Sequence, residues 1–388
     1  MVGIFVLKNY LHEVNNPKVV IIGGGLAGLT AALDLVQKEI PVLVIEKNQY
    51  PSHKVCGEYV SNEVKPYLEQ LGLELDGLGL PKIDTLQVST QNGKLIEIDL
   101  PLGGFGISRY AFDHKLYQLA LKKGVDFLFD TVIDVQLVND EFSITLASKE
   151  KISSAVVLGA FGKRSNLDIK LNRNFIKEKS PWLGIKSHYK NNGHPSNLVG
   201  LHNFPGGYGG LSLTEEGDVN FCCLVKYESF KKEGDIEAFN QTVVSQNPYL
   251  RDFLSNAKTK FEKPLSIAQI SFEKKKAVDN HILMCGDTAG LIHPLCGNGM
   301  AMAIHSAKLA AEQVAMFTEK PNFTRKDMEK EYQILWEKNF RKRLWMGRCL
   351  QELMLHTKWF NLGMYTVANS KILLRELISS THGNPILN

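Results

Sequence analysis

The stretch "VVIIGGGLAGLTAALDLVQKEIPVLVIEK", residues 19–47, decides the fold. A continuous β-branched run ends in glycines, a helical pattern with Leu26, Leu29, Leu33 and Val36 follows, and a second continuous apolar run closes the unit. Strand, helix and strand within about 30 residues make a βαβ unit with parallel strands. The glycines stand at Gly23, Gly25 and Gly28 in G-x-G-x-x-G spacing. The first permits a tight turn, the second lets a pyrophosphate approach the backbone, and the third lets helix and strand pack closely. Backbone amides from Leu26 and Ala27 onward begin the helix and face the phosphates. Glu46 closes the second strand with Lys47 beside it, where a carboxylate meets ribose hydroxyls. That acid favours an unphosphorylated ribose, so the expected nucleotide is FAD or NAD rather than NADP.

The same grammar recurs further along. "RYAFDHKLYQLALKKG", 109–124, predicts a helix stopped by Gly124, and "SSAVVLGAFG" reads as a buried strand ending in glycine. "HILMCGDTAG" is again a strand into a turn, and "GMAMAIHSAKLAAEQVAMF" is a helix. Between these pieces, 83–108 and 181–272 are turn-rich with short strands. The expected organisation is a Rossmann-like α/β nucleotide domain built from 15–82, 109–180 and 273–320. An antiparallel-sheet (α+β) substrate domain from 83–108 and 181–272 is inserted in it, and 321–388 form a helical C-terminal region.

Composition narrows the class of partner. The chain has 388 residues with 44% hydrophobic and 22% charged side chains and a formal net charge of +4, which is ordinary globular usage. No block of like charge suggests a nucleic-acid partner. No segment approaches the roughly 20 apolar residues of a membrane span, and the N-terminus lacks a secretory pattern, so a cytoplasmic location is expected. The cysteines and histidines show no metal-ligand spacing, and no metal is expected. Tyr332, Trp336, Phe340, Leu344 and Leu350 recur at helical spacing among arginines and lysines. Segment 332–360 therefore reads either as an amphipathic helix covering the nucleotide domain or as a peripheral membrane contact.

FAD and NAD separate at residues 281–312. Gly286 and Asp287 follow a buried strand, and a glycine-rich helix start follows at Gly297, Asn298, Gly299 and Met300. Asp287 can accept from a polyol hydroxyl, and the free amides at 298–300 can stabilise negative charge on a reduced isoalloxazine. This suits a ligand longer than NAD.

The order G-x-G-x-x-G…E, R-x-x-F-D, G-x-x-G-x-R-S and G-D…P-x-x-G-x-G spans residues 18 to about 310. It resembles the FAD-dependent oxidoreductases of the p-hydroxybenzoate hydroxylase superfamily, and within them the geranylgeranyl reductase-like group. The resemblance implies that Asp287 binds ribityl or ribose hydroxyls, that Arg109 lies against the polyol–phosphate region, and that the backbone near Val132 touches the adenine. The group's K-x-C-G is Lys54, Cys56 and Gly57. It implies a thiol near the flavin's reactive face, where Cys56 tunes the ring or delivers a proton; a small buried residue at a tight turn explains it equally.

Departures from the family pattern bear on the reaction. Phe161 stands where the superfamily carries an aspartate, which weakens the case for ordinary NADPH-dependent hydroxylation. "GGFG" at 103–106 and "GGYGG" at 206–210 read as turns rather than a second nucleotide site. In "YGGLSL", Tyr208 is kept while Gly210, Ser212 and Leu213 replace the aromatic Y-x-W-x-F-P pattern of prenyl-chain reductases. Tyr208 and His293 are candidate proton donors, each with a plain packing alternative. The leading expectation is reduction of a C=C bond of a small apolar metabolite, isoprenoid or polyketide-like, by reduced FAD. NAD(P)H is the candidate electron donor. The alternatives are an FAD-dependent monooxygenase of aromatic or polyketide rings and a flavin carrier without turnover.

Overall fold

The structure is a computed structural model that describes residues 18–293, 297–356 and 383–386. Its first sheet has six strands in the order Val278–Asp279, Ile282–Met284, Val156–Gly159, Val19–Ile22, Val42–Glu46 and Asp126–Phe129. All neighbours are parallel except the first pair. Val19–Ile22 and Val42–Glu46 are buried along their whole length, as the unbroken apolar runs required. Helix Leu26–Gln37 packs against Gly299–Glu319 and Arg109–Lys122, so three helices from distant parts of the sequence meet. A third sheet is the three-stranded antiparallel meander Val132–Val138, Glu141–Leu146 and Lys151–Ser154, whose Val135, Phe142 and Ile144 join the same core.

The second sheet has eight strands, in the order Leu265–Ala268, Trp182–Tyr189, Val219–Lys226, Gly207–Leu213, Leu198–Phe204, Lys82–Ser89, Leu95–Gly106 and Tyr59–Ser61. It departs from the expected antiparallel sheet at one place. Leu198–Phe204 runs parallel to Lys82–Ser89, because the chain returns to this sheet only after passing through the nucleotide domain. Tyr59–Ser61, from the first nucleotide segment, adds an edge strand on Gly104–Gly106. Gly103–Gly106 and Gly207–Gly210 lie in strands rather than in the expected turns, and neither glycine cluster is a second nucleotide turn.

Side-chain alternation gives this sheet two unlike faces. One carries Ile185, Tyr189, Phe221, Cys223 and Val225 under Phe239, Leu250 and Phe253 of the covering helices. The other carries Lys186, His188, Asn220 and Ser212, all buried, and continues into Trp182, Tyr208 and Leu224.

The C-terminal helix Arg325–Leu355 begins with a capping box between Thr324 and Asp327. Its stripe of Met328, Tyr332, Trp336, Phe340 and Leu344 is buried in the main core. The Tyr332 hydroxyl donates to the Met284 carbonyl, and the Trp336 indole lies under Gly290. The apolar face that could have met a membrane is thus used inside the protein, within the described part of 332–360, which ends at 356. No helix among the described residues is long and apolar enough to cross a membrane.

Candidate active site

The glycine turn is built as its spacing demands. Gly23 has φ +103°, and a Cβ there would lie 2.3 Å from the Ala160 carbonyl oxygen. A Cβ on Gly28 would lie 1.9 Å from the Gly23 carbonyl oxygen. Gly25 is different: a Cβ on it would meet only Arg109 Nη2 at 3.4 Å and Lys54 Nζ at 3.8 Å. Two cations therefore border the space above the turn, at the amino-terminal end of Leu26–Gln37, which has no side-chain cap. Leu26 and Ala27 are buried at that helix start. Free amides plus two cations are the chemistry that a pyrophosphate requires.

Asp113 holds both cations. Arg109 donates from Nε and Nη2 to its two oxygens at 2.7 and 2.8 Å, and Lys54 Nζ donates at 2.7 Å. Burial alone would raise the Asp113 carboxyl, but the charges of Arg109 and Lys54 prevail and hold it below the usual carboxylate range. The R-x-x-F-D motif thus becomes an i,i+4 pair with arginine at the helix start and its acid one turn on.

Glu46 does more than sequence reasoning assigned to it. Its oxygens accept the Gly24 amide at 2.7 Å and the Asn48 amide at 3.0 Å, so it ties the second strand to the glycine turn. Lys47 is exposed. Tyr50, which no motif flagged, donates to the Gly24 carbonyl and stacks on Tyr117 with centroids 4.2 Å apart. Val132 is buried at the start of the meander.

The other segments close on this turn. The Ala160 amide donates to the Ile22 carbonyl, and the Cys285 amide to that of Gly159, both at 2.8 Å. The Gly162 amide donates to Thr288 Oγ1 at 2.9 Å. Gly286 has φ +59°, and a Cβ on it would touch the methyls of Ala27 and Ala303 at 3.2 Å. Asp287 is half-buried, and its carboxylate makes no hydrogen bond among the described residues. Such an acceptor fits a polyol hydroxyl. Buried Lys275 donates to the carbonyls of Lys163 at 2.9 Å and Asp287 at 2.7 Å, joining two segments; burial pushes its ammonium down to about 8.

The loop around Cys56 is strapped to the polar face of the large sheet. Asn220 Nδ2 donates to the carbonyls of Cys56 at 3.2 Å and Gly57 at 2.9 Å, and Ser212 Oγ donates to Gly57 at 2.9 Å. Glu58, fully buried, accepts from Lys186 Nζ, from the Arg109 amide at 2.7 Å and meets His188 Nε2 at 2.7 Å. Burial would raise the Glu58 carboxyl, but His188 and Lys186 hold it below its ordinary value. Gly57 has open space where a Cβ would be, and Cys56 is half-buried.

Tyr208 and His293, separate guesses in the sequence, are brought together: Tyr208 Oη lies 3.2 Å from His293 Nδ1. His293 packs on Phe272 with ring centroids 4.5 Å apart and meets Trp182 edge-on. Burial pushes its imidazole down to about 3, so it is neutral at ordinary pH, and its Nε2 has no hydrogen-bond partner among the described residues. Gly297 has φ +60° and packs on Tyr59, Asn298 stands at the N-cap position of helix Gly299–Glu319, and Met300 is buried in its first turn. Lys186, Asn220, Tyr50 and Lys275 carried no motif; long-range pairing alone assembles them.

Comparison with known proteins gives the family. The FAD binding domain family matches residues 16–321. A digeranylgeranylglycerophospholipid reductase of Methanosarcina acetivorans is 24% identical, covering 82% of this chain and 80% of its own. A solved flavin-dependent brominase superposes with TM-score 0.78 at 20% identity, over 95% of this chain and 93% of that one. A geranylgeranyl bacteriochlorophyll reductase-like protein of Thermoplasma acidophilum does so with TM-score 0.76 at 19% identity, over 95% and 96%. The chain belongs to the FAD binding domain family and is an FAD-dependent oxidoreductase.

Proposed function

We propose that this oxidoreductase saturates a C=C bond of an apolar, isoprenoid or polyketide-like metabolite. One observation carries the proposal: Trp182, Tyr208, Leu224, Ile270, Leu291 and Phe272 form a single apolar cluster, and the Tyr208–His293 pair is the polar feature set into it. An apolar wall with a few placed polar groups is what an apolar substrate needs. The name of the Methanosarcina relative, a reductase of an isoprenoid lipid, supports the same substrate class. The missing aromatic residues around Gly210 argue for a different chain length or shape; a Cβ on Gly210 would meet nothing closer than 3.6 Å.

FAD, when bound, supplies the reducing equivalents, with NAD(P)H as their source. In our assignment Gly23, Gly25 and Gly28 with Arg109 and Lys54 hold the pyrophosphate. Glu46 and Asp287 meet the hydroxyls, the Val132 backbone lies by the adenine, and 297–300 face the ring. Segments 83–108 and 181–272 supply the substrate side. Tyr208 Oη holds the proton that completes the saturated carbon, and neutral His293 orients that hydroxyl through Nδ1. We assign Cys56 as a second proton donor or a ring contact.

The test is an anaerobic incubation with NAD(P)H and a polyprenyl alcohol, read by mass spectrometry. The proposal expects substrate that has gained hydrogen without oxygen. In a parallel incubation in air, substrate-stimulated oxygen uptake with an oxygenated product would replace it with the monooxygenase. A flavin that no donor reduces would leave only a carrier.

A further inference from the structure

Glu63 joins three parts of the chain that no motif connects. It lies in the short turn Asn62–Val64 after strand Tyr59–Ser61, and it is fully buried. Its carboxylate accepts from Arg343 Nη1 of the C-terminal helix at 3.2 Å, from Asn298 Nδ2 at 3.4 Å, and from the Gly383 amide. Its backbone carbonyl accepts the Ile386 amide at 2.8 Å. Segment 383–386 is thus held at two points, and Ile386 is buried in the main core. Gly383 lies close against both partners: a Cβ there would lie 2.1 Å from Arg343 Nη2 and 2.5 Å from Glu63 Oε2, so a larger residue must displace these two side-chain ends.

Asn298 matters because it is the N-cap of Gly299–Glu319 and makes no side-chain cap bond to its own helix. Its amide is turned to Glu63 instead. The preceding Gly297 rests on the Tyr59 ring, with 3.1 Å between its Cβ position and the ring. The amino-terminal end of the helix is therefore positioned by strand Tyr59–Ser61 and Glu63, and Glu63 is positioned in turn by the tail.

We propose that Glu63 is a positioning residue that couples docking of tail segment 383–386 to FAD binding, by fixing the helix end at 297–300. The proposal rests on our assignment of 297–300 as facing the flavin. A segment that fixes one state of a site raises ligand affinity, and by linkage the ligand must stabilise the docked segment equally. Two readouts follow, neither of which needs turnover.

The experiment compares the full chain with a chain ending at residue 382 and with Gly383→Val. FAD affinity of the apoproteins is measured by fluorescence quenching. In the full chain, hydrogen exchange of the Ile386 amide is measured with and without FAD. The expected results are affinity lowered about tenfold, roughly 1.4 kcal/mol, in both variants, and slower Ile386 exchange when FAD is bound. Unchanged affinity in the shortened chain, or Ile386 exchange indifferent to FAD, overturns the coupling. Asn298→Ala separates the two ideas. If it weakens FAD binding while tail removal does not, only the coupling fails. If neither change alters FAD affinity, the assignment of 297–300 fails with it.

Discussion

Replacing Glu58 by glutamine tests the strap that holds the Cys56 loop. Glu58 and Lys186 are both 0% exposed at their side chains, and His188 is 7% exposed. The carboxylate also accepts the Arg109 amide, and Lys186 Nζ reaches the Lys54 carbonyl at 3.1 Å. Glutamine keeps the shape but leaves the Lys186 ammonium without its counter-charge. Removing one partner of a buried pair costs about 3–5 kcal/mol, and the amide's remaining acceptor oxygen places this change near about 3 kcal/mol. The residues concerned are Lys54, Cys56, Gly57 and Arg109, so the loss should also reach the flavin. Urea unfolding of the holoprotein, followed by flavin fluorescence and by far-UV dichroism, reads both effects. Lys186→Met combined with Glu58→Gln should recover roughly half of the loss, because the orphaned charge is gone. A Glu58→Gln protein within about 0.5 kcal/mol of the parent, inside the range of ordinary surface changes, would refute the reasoning.

Three further outcomes are expected. Gly28→Ala forces a methyl against the Gly23 carbonyl, so the protein should fold yet purify without flavin; a yellow preparation of normal affinity would contradict the turn geometry. Cys56→Ala should keep bound flavin, since the Asn220 hydrogen bond that straps this residue is to its backbone carbonyl, yet slow substrate-dependent reoxidation of the reduced enzyme at least about tenfold, on the scale of a lost proton donor; an unchanged rate removes the thiol from the chemistry. Burial pushes His202 and His293 down to about 3 and His305 down to about 4. These imidazoles stay neutral in the folded chain, whereas the unfolded chain binds protons from about pH 6.5 downward. Stability should be full above about pH 6.5 and fall as pH drops from there toward about 3. Melting temperatures that stay flat from pH 7 to pH 4 would refute the assignment of neutral buried histidines.

The fold was legible in the sequence wherever local chemistry dictates structure. The turn at Gly23–Gly28, the helix Arg109–Lys122 ending before Gly124, and the buried strand Val156–Gly159 follow from periodicity and glycine geometry within a few residues. The residues that escaped notice are those whose partners lie far off. Lys186 reads as an ordinary strand lysine until pairing sets it over Glu58, more than a hundred residues earlier. The parallel pairing of Leu198–Phe204 with Lys82–Ser89 depends on chain path, which no local pattern encodes. Tyr208 and His293 were each legible as candidates, but their contact is a property of the fold. The substrate stays outside both levels, because shared folds carry different chemistries, as a brominase and a reductase-like protein superposing on one chain illustrate.

The central claim is that three separated segments furnish one FAD site, and Asp287 is the sharpest point at which to test it. Titration calorimetry of apoprotein with FAD should give one site per chain for the parent. Asp287→Ala should retain that stoichiometry with affinity lowered about tenfold, as expected when a hydrogen bond to a charged acceptor worth roughly 1.5 kcal/mol is lost. Identical affinities for the two proteins would mean that the third segment takes no part in holding the cofactor, and the account would fail there.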